Sequence, residues 1–262
     1  MCATCGCSGA ARLRLVTPHD GQHEHDAQHE HDAQHEHGHG HTHGPEHEHG
    51  RTVVLQQKVL AKNDKLAALN RSWLAERGVL AVNLMSSPGA GKTTLLERTA
   101  RELDLDLCVI EGDQETALDA SRISRAGRKV VQINTGAGCH LDASMVADAL
   151  EQLDPQAGSV VVIENVGNLV CPALFDLGEA ARVVLASVTE GADKPVKYPH
   201  MFRGADLVLV TKTDLLPYVD FDVARHAADV KQLSPDARMI QVSATTGAGM
   251  PDWYTWLGGQ IA

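Results

Sequence analysis

The chain has 262 residues and 43% hydrophobic residues, which suits one large α/β domain with an appendage. Its net charge is −11, but residues 19–50 hold eight acidic and no basic residues, which leaves 26 acidic and 23 basic residues elsewhere. A nearly neutral body with nine aromatic residues argues against a nucleic-acid-binding surface. The sequence has no run of 18 apolar residues and no apolar N-terminal stretch, so we expect a cytoplasmic protein without membrane association.

Residues 1–18 form a short cysteine segment that begins "MCATCGC". Cys2, Cys5 and Cys7 place three thiols close enough to surround one ion, and thiolates favour transition metals over Mg²⁺ or Ca²⁺. A free terminal amine would supply a fourth ligand. The alternatives are a redox dithiol or incidental cysteines, but no thioredoxin-like pattern surrounds them. The segment is therefore predicted to bind a metal.

Residues 19–50 are a low-complexity tail in which the motif "HEHDAQ" repeats. The tail lacks the apolar residues needed to offset the entropy of ordering, so it is predicted to be disordered. Neutral imidazoles suit Ni²⁺, Cu²⁺ and Zn²⁺, so its His-x-His pairs predict many weak, exchanging sites. The alternative is a solvated acidic tail that only keeps the protein soluble. The candidate nickel-storage residues are His19, His23, His25, His29, His31, His35, His37, His39, His41, His43, His47 and His49.

Residues 51–262 show the pattern of a single α/β domain with a leading helix. Apolar residues recur at helical spacing from Thr52 until Gly78. Short apolar runs then alternate with helical stretches, which predicts a mostly parallel sheet of about seven strands with helices on both faces. The predicted strands are residues 79–85, 106–111, 129–133, 159–164, 182–188, 206–211 and 238–243. The predicted helices include residues 92–103, 115–126, 142–152 and 222–233.

The first strand of this domain runs into the phosphate-binding motif "SSPGAGKTT" and then a helix. Backbone N–H groups of such a loop surround phosphates, Lys92 reaches the β- and γ-phosphates, and the Thr93 hydroxyl binds Mg²⁺. Ser86 stands where the first glycine is usual, but Gly89 and Gly91 leave the backbone free to close on an anion. The phosphate-binding residues predicted from this motif are Gly89, Ala90, Gly91, Lys92, Thr93 and Thr94.

Two later motifs predict a guanine pocket. "TKTD" ends the sixth strand and "SATTG" follows the seventh, where GTPases carry Asn-Lys-x-Asp and Ser-Ala. Asp214 would accept two hydrogen bonds from guanine, Lys212 would lie over the base, and Ser243 and Ala244 would close the pocket. Thr211 replaces the asparagine, so we expect the loop to lose an amide brace.

Two acidic residues at strand ends are candidates for the Mg²⁺ site and the catalytic machinery. Glu164 and Gly167 stand where GTPases place Asp-x-x-Gly, and Asp113 follows the second strand. One carboxylate is expected to bind Mg²⁺, directly or through water, and one to orient the attacking water. With Lys92, these two acids form the predicted catalytic set.

A second metal site is predicted from "GCHLD" and "NLVCP". The adjacent Cys139 and His140 follow the third strand in a glycine-rich loop, which is unlike a core position. Cys171 follows Glu164 in the stretch expected to move with the γ-phosphate. The alternative is that these cysteines only pack. A metal ligand on the nucleotide switch would make metal affinity depend on the bound nucleotide.

The combined motifs "CATCGC", the His-rich tract, "SSPGAGKTTLL", "GCHLD", "ENVGNLVCP", "TEGADKPVKYPHMF" and "KTDLLPYVDFD" resemble those of the HypB family, nickel-binding GTPases of [NiFe]-hydrogenase maturation. The resemblance covers the whole chain. It implies a P-loop GTPase of the signal-recognition and MinD-like (SIMIBI) class that dimerises around GTP. It also implies slow GTP hydrolysis and nickel delivery to the hydrogenase large-subunit precursor, with the small zinc protein HypA as partner.

The resemblance further implies roles for individual residues. Cys2, Cys5 and Cys7 would be the tight nickel site, and Cys139, His140 and Cys171 the nickel or zinc site of the GTPase domain. Two alternatives remain at this stage: a nickel buffer with a vestigial GTPase, and nickel delivery to urease. The intact Lys92, Thr93 and Asp214 argue against the first, and the cysteine triplet and "GCHLD" argue against the second.

Overall fold

A computed structural model describes residues 11–16, 46–113 and 118–260, with residues 46–56 described by their backbone alone. Cys2, Cys5 and Cys7 lie outside the described residues, as do the tail histidines from His19 to His43. The side chains of His47 and His49 are also outside the description. None of the helices in the described ranges has the length and apolar content to cross a bilayer.

One sheet of eight strands organises the domain, with strand order β1-β4-β3-β5-β2-β6-β7-β8. All neighbouring strands are parallel except β1 and β4, which are antiparallel. The fold class predicted from the sequence is therefore confirmed. The strands are β1 Arg12–Val16, β2 Leu80–Ser86, β3 Leu107–Asp113, β4 Lys129–Asn134, β5 Val160–Glu164, β6 Ala181–Ser187, β7 Leu207–Thr211 and β8 Arg238–Gln241.

Successive residues of a strand point to opposite faces of the sheet, so both faces present apolar side chains, and helices cover both. On β2, Val82 and Leu84 join a buried cluster with α2, α3 and α8, whereas Ala81 joins a cluster with α1 and α4. A third cluster packs α6 and α7 against β6 and β7. The helices are α1 Glu46–Glu76, α2 Lys92–Glu102, α3 Leu118–Arg125, α4 Ala143–Leu153, α5 Lys194–Lys197, α6 Pro199–Phe202, α7 Val223–Leu233 and α8 Met250–Gly258.

The seven predicted strands are all present, and the eighth, β1, was not predicted. β1 lies within the segment assigned from sequence to metal binding alone, and it pairs with β4 at the sheet edge. Its apolar and basic residues alternate as "RLRLV", and only Val16 is fully buried. The leading helix also begins earlier than its apolar spacing indicates, at Glu46 rather than near Thr52.

The parallel arrangement determines where the functional residues lie. β2, β3, β4 and β5 all end at one edge of the sheet, and the loops that follow them carry the predicted phosphate, Mg²⁺ and metal ligands. Ligands of open parallel sheets bind at this carboxyl edge.

Candidate functional site

The loop after β2 has the backbone conformation of a phosphate-binding loop. Gly89 and Gly91 have φ of +74° and +99°, a backbone conformation that residues other than glycine rarely adopt. α2 begins directly afterwards at Lys92. The Lys92 ammonium donates to Ser86 Oγ at 2.9 Å, so the serine in place of the first glycine holds the lysine. Burial lowers the pKa of Lys92, while the nearby carboxylates oppose that shift. The backbone of the loop and the Lys92 side chain both line one cavity.

That cavity has a volume of about 430 Å³ and joins the predicted phosphate and Mg²⁺ residues. It is lined by Gly89, Gly91, Lys92, Thr93, Thr94, Asp113, Glu164, Gly167 and Lys212 from the predicted set, and also by Pro88, Glu111, Gly112, Asp119, Arg122, Asn165 and Val166. The predicted residues from four separate loops therefore meet in one place, as the shared strand edge requires.

The Thr93 hydroxyl lies between two carboxylates. It is 2.8 Å from Glu164 Oε1 and 2.9 Å from Asp119 Oδ2. Asp119 on α3 was not predicted. Its proximity to Thr93 depends on the packing of α3 against α2, although the run "EGDQETALD" after a strand showed that further acids were available.

The donor set fits Mg²⁺, which prefers oxygen ligands. Glu164 Oε2 and Glu111 Oε2 are buried and have no hydrogen-bond partner within the part of the chain that the structure describes. Thr93, Glu164 and Asp119 would hold the ion beside the phosphates, and Asp113 lines the same cavity. A bound Mg²⁺ would neutralise charge developing on the transferred phosphoryl group.

Glu111 is a second buried acid that sequence analysis missed. It pairs with Glu164 across β3 and β5, and both side chains are almost completely buried. Burial, with repulsion from Glu164 and the other nearby carboxylates, raises the pKa of Glu111 to about 9. Burial raises the pKa of Glu164 to about 7, although Lys92 and the hydrogen bond from Thr93 oppose that shift. The carboxyl groups that line the cavity therefore favour the binding of a cation.

A smaller cavity of about 140 Å³ adjoins the phosphate cavity and shares Gly91, Thr94 and Lys212 with it. Asp214 and Ala244 line it, so one nucleotide can extend across both. Ser243 lies behind Asp214 and donates to its Oδ1 at 2.6 Å, which orients the carboxylate. Lys212 donates to Gly89 O at 2.7 Å, which connects this pocket to the phosphate loop.

The loop lacks the asparagine amide, but Thr211 contacts the phosphate loop through its hydroxyl instead. The Thr211 hydroxyl is buried and donates to Ala90 O at 2.7 Å, directly onto the phosphate loop. A hydroxyl at the end of β7 reaches this carbonyl because Ala90 itself is fully buried beside the strand. The sequence alone could not provide that distance.

The loops after β4 and β5 bring Cys139, His140 and Cys171 together. One ligand atom from each residue lies within 4.8 Å of the other two, and Cys139 Sγ is 3.6 Å from His140 Nδ1. The His140 ring stacks on Phe175, with ring centroids 3.9 Å apart. Burial lowers the pKa of His140, which favours the neutral imidazole that binds metals. The predicted ligands thus form one cluster with sulfur and nitrogen donors.

Asn165 connects this cluster to the nucleotide cavity. It lines the cavity, and its buried Oδ1 accepts from the backbone N–H of Leu141 at 3.2 Å, next to His140. Gly167, two residues further on, approaches the phosphate loop so closely that an added Cβ would lie 3.0 Å from Pro88 Cα. The segment from Glu164 to Cys171 therefore touches both sites.

Replacing Glu111 with glutamine should stabilise the protein in the absence of Mg²⁺ and nucleotide. The folded state raises the pKa of Glu111 from 4.5 to about 9, so stability is lost as the pH rises through that interval. An uncharged amide removes this loss. We expect urea unfolding at pH 8 to show a higher free energy of unfolding for Glu111→Gln, and a weaker decline from pH 5 to 9. The exposed Glu76→Gln is the control, and equal pH profiles for Glu111→Gln and the wild type would contradict the prediction.

Comparisons with known proteins agree with this geometry. The family model described as "CobW/HypB/UreG, nucleotide-binding domain" matches residues 80–241. The hydrogenase maturation factor HypB of Rhizobium leguminosarum bv. viciae is 53% identical over 209 residues, covering 79% of this chain and 70% of that protein. The hydrogenase/urease maturation factor HypB of Helicobacter pylori is 40% identical over 211 residues, covering 79% of this chain and 87% of that protein.

A solved structure shows the same likeness. The crystal structure of Helicobacter pylori HypB in complex with nickel superposes with a TM-score of 0.72 at 40% identity, covering 76% of this chain and 95% of that one. The resemblance found in the sequence motifs is thereby confirmed. The chain belongs to the CobW/HypB/UreG family of nucleotide-binding proteins and, within it, to the HypB hydrogenase maturation factors.

Proposed function

We propose that the protein is a slow GTPase that carries nickel and delivers it to the large-subunit precursor of a [NiFe]-hydrogenase. The observation that carries the proposal is the Cys139, His140 and Cys171 cluster, because Cys171 lies on the segment that continues from Glu164 in the nucleotide cavity. Thiolate and imidazole ligands suit Ni²⁺ and Zn²⁺. Three protein ligands leave a coordination position open, which suits a site that exchanges its ion.

Hydrolysis in this proposal uses the residues around the phosphate loop. Lys92 binds the β- and γ-phosphates, and Thr93 holds Mg²⁺ together with Glu164 or Asp113, a set to which the geometry adds Asp119. Gly167 follows the γ-phosphate through its close contact with Pro88. Loss of the γ-phosphate would release the segment that carries Cys171.

The remaining parts of the proposal concern storage and partners. The tail histidines would hold nickel weakly, and Cys2, Cys5 and Cys7 would hold it tightly. A HypA-type zinc protein would exchange metal with the carrier, and GTP would bring two copies together. Because a two-fold axis pairs identical surfaces, two Cys139–His140–Cys171 clusters could then complete each other's coordination.

Asp214→Asn should reduce GTP affinity by about 10-fold or more and increase affinity for xanthosine triphosphate. The amide donates where guanine needs an acceptor, and hydrogen bonds to charged groups contribute about 1.5–3 kcal/mol each. The amide oxygen can still accept from Ser243, so the loop is retained. Competition binding of the two nucleotides measures the change, with the exposed Asp220→Asn as control. Unchanged GTP preference, or ATP binding as tightly as GTP in the wild type, would contradict guanine recognition.

Nickel affinity of the cluster should differ between nucleotide states. We define the reporter protein as the full chain carrying Cys2→Ser, Cys5→Ser and Cys7→Ser. Its thiolate-to-Ni²⁺ charge-transfer absorption then reports on Cys139 and Cys171, since burial raises the pKa of Cys108 to about 11. Titrations with GDP and with a non-hydrolysable GTP analogue should differ by about 5-fold or more, the size of a typical coupling.

The same titration on the reporter protein with Cys171→Ala is the control for this coupling. It should lose both the tight binding and the nucleotide dependence. Equal affinities in the two nucleotide states of the reporter protein would disprove the coupling. A nucleotide dependence that survives Cys171→Ala would show that another residue carries it.

Delivery is tested in a strain of the source organism that lacks the gene. We expect hydrogenase activity to be lost and to return with the wild-type gene, but not with Lys92→Ala, because release needs nucleotide turnover. Urease activity, where the organism has it, should be unchanged. Recovery with Lys92→Ala would support a nickel buffer instead, and loss of urease rather than hydrogenase activity would support delivery to urease.

A further inference from the structure

Two buried asparagines on α1 are a feature that the nucleotide chemistry does not use. Asn63 and Asn70 are each 5% exposed, although asparagine is a poor helix former and a costly residue to bury without partners. They are seven residues apart, close to two helical turns, so they lie on the same face of α1. Their hydrogen-bond partners show what that face contacts.

Both asparagines bridge the same two segments of the chain. Asn63 accepts from Ala143 N at 2.9 Å and donates to Asp176 O at 2.7 Å. Asn70 donates to Ala143 O at 2.8 Å and to Leu177 O at 3.0 Å. The backbone N–H and C=O of Ala143 are thus both held by α1, and each asparagine joins Ala143 to the segment that follows Cys171.

These two segments carry the proposed metal ligands. Ala143 begins α4, three residues after His140, and Asp176 and Leu177 follow Cys171 by five and six residues. Phe175, which stacks on His140, immediately precedes Asp176. α1 therefore connects the segment that carries Cys139 and His140 to the segment that carries Cys171.

Close packing makes this bridge specific. At Gly178 an added Cβ would lie 2.6 Å from Ala67 O and 2.7 Å from Asn70 Cβ, so the loop can approach α1 only with glycine there. On the opposite side, Glu179 accepts from Leu177 N at 2.7 Å and from Asn83, which in turn accepts from Asn165. Buried networks in which each member is bonded have little freedom to shift.

We infer that Asn63 and Asn70 are positioning residues of the metal site, which hold the Cys139–His140 pair and Cys171 at binding distance. The inference rests on the proposed function of that cluster. Groups that orient metal ligands without touching the ion typically change affinity by about 10- to 100-fold when they are removed. In this inference α1, which begins at the end of the histidine-rich tail, is part of the metal centre.

The test compares Ni²⁺ titrations of the reporter protein with those of the same protein carrying Asn63→Ala or Asn70→Ala. Thiolate-to-Ni²⁺ charge-transfer absorption measures binding, and melting temperature measures stability. We expect each asparagine variant to bind Ni²⁺ about 10-fold or more weakly and to show an altered charge-transfer spectrum.

Two variants of α1 separate positioning from stability. Leu74→Ala removes a buried side chain of α1 that makes none of the bridging hydrogen bonds, and Arg71→Ala removes the exposed ion pair with Asp176. We expect Leu74→Ala to lower the melting temperature yet keep the Ni²⁺ affinity and spectrum of the reporter protein. Arg71→Ala should change neither.

Three outcomes would overturn the inference, and they are distinguishable. Asparagine variants that bind Ni²⁺ as tightly as the reporter protein would show that the bridge does not position the ligands. An equal loss of affinity in Leu74→Ala would show that α1 acts through stability alone. A reporter protein whose Ni²⁺ affinity and charge-transfer spectrum are both unchanged by Cys171→Ala would overturn the proposed metal site itself, before any asparagine variant is measured.

Discussion

The carboxyl end of β5 is the point on which both sites depend. Glu164 ends the strand and accepts a hydrogen bond from the Thr93 hydroxyl. Asn165 follows it, lines the nucleotide cavity and accepts a hydrogen bond from the backbone N–H of Leu141. Because β5 lies between β3 and β2 in the centre of the sheet, its end cannot move without affecting both neighbours. In the proposed function, a movement that starts at the γ-phosphate would have a short, continuous path to Cys171, and a bound metal would act on the nucleotide through the same path.

The nucleotide cavity and the Cys139–His140–Cys171 cluster differ in their electrostatics and in their ligand chemistry. Glu111 and Glu164 are paired across β3 and β5, and burial raises the pKa of both carboxyl groups, with added repulsion from Glu164 at Glu111. In the proposed function, Mg²⁺ bound with the nucleotide would favour the charged carboxylates, so nucleotide binding would change the charge at the end of β5. The Cys139–His140–Cys171 cluster offers sulfur and imidazole donors instead, a set that suits softer ions than Mg²⁺.

Sequence patterns predicted the parts of this arrangement that depend on local chemistry. The apolar runs predicted the seven parallel strands. The phosphate loop, Asp214 and the candidate ligands Cys139, His140 and Cys171 lie in motifs whose spacing indicates their place at strand ends. Residues that act through tertiary packing were missed, because no local pattern marks them. Asp119 reaches Thr93 only through the packing of α3, Asn63 and Asn70 matter only where α1 meets two remote loops, and β1 forms only when an edge of β4 is available.

Hydrogen–deuterium exchange of the backbone amides in residues 165–174 tests the central claim most directly. The full chain would be compared with GDP and with a non-hydrolysable GTP analogue, each with and without Ni²⁺. Because one segment serves both sites, the nucleotide and the metal should each change the exchange of the same amides, and their effects should not add. Protection that changes only at residues 86–94 with nucleotide, and only at residues 139–142 and 171–174 with Ni²⁺, would contradict a shared segment.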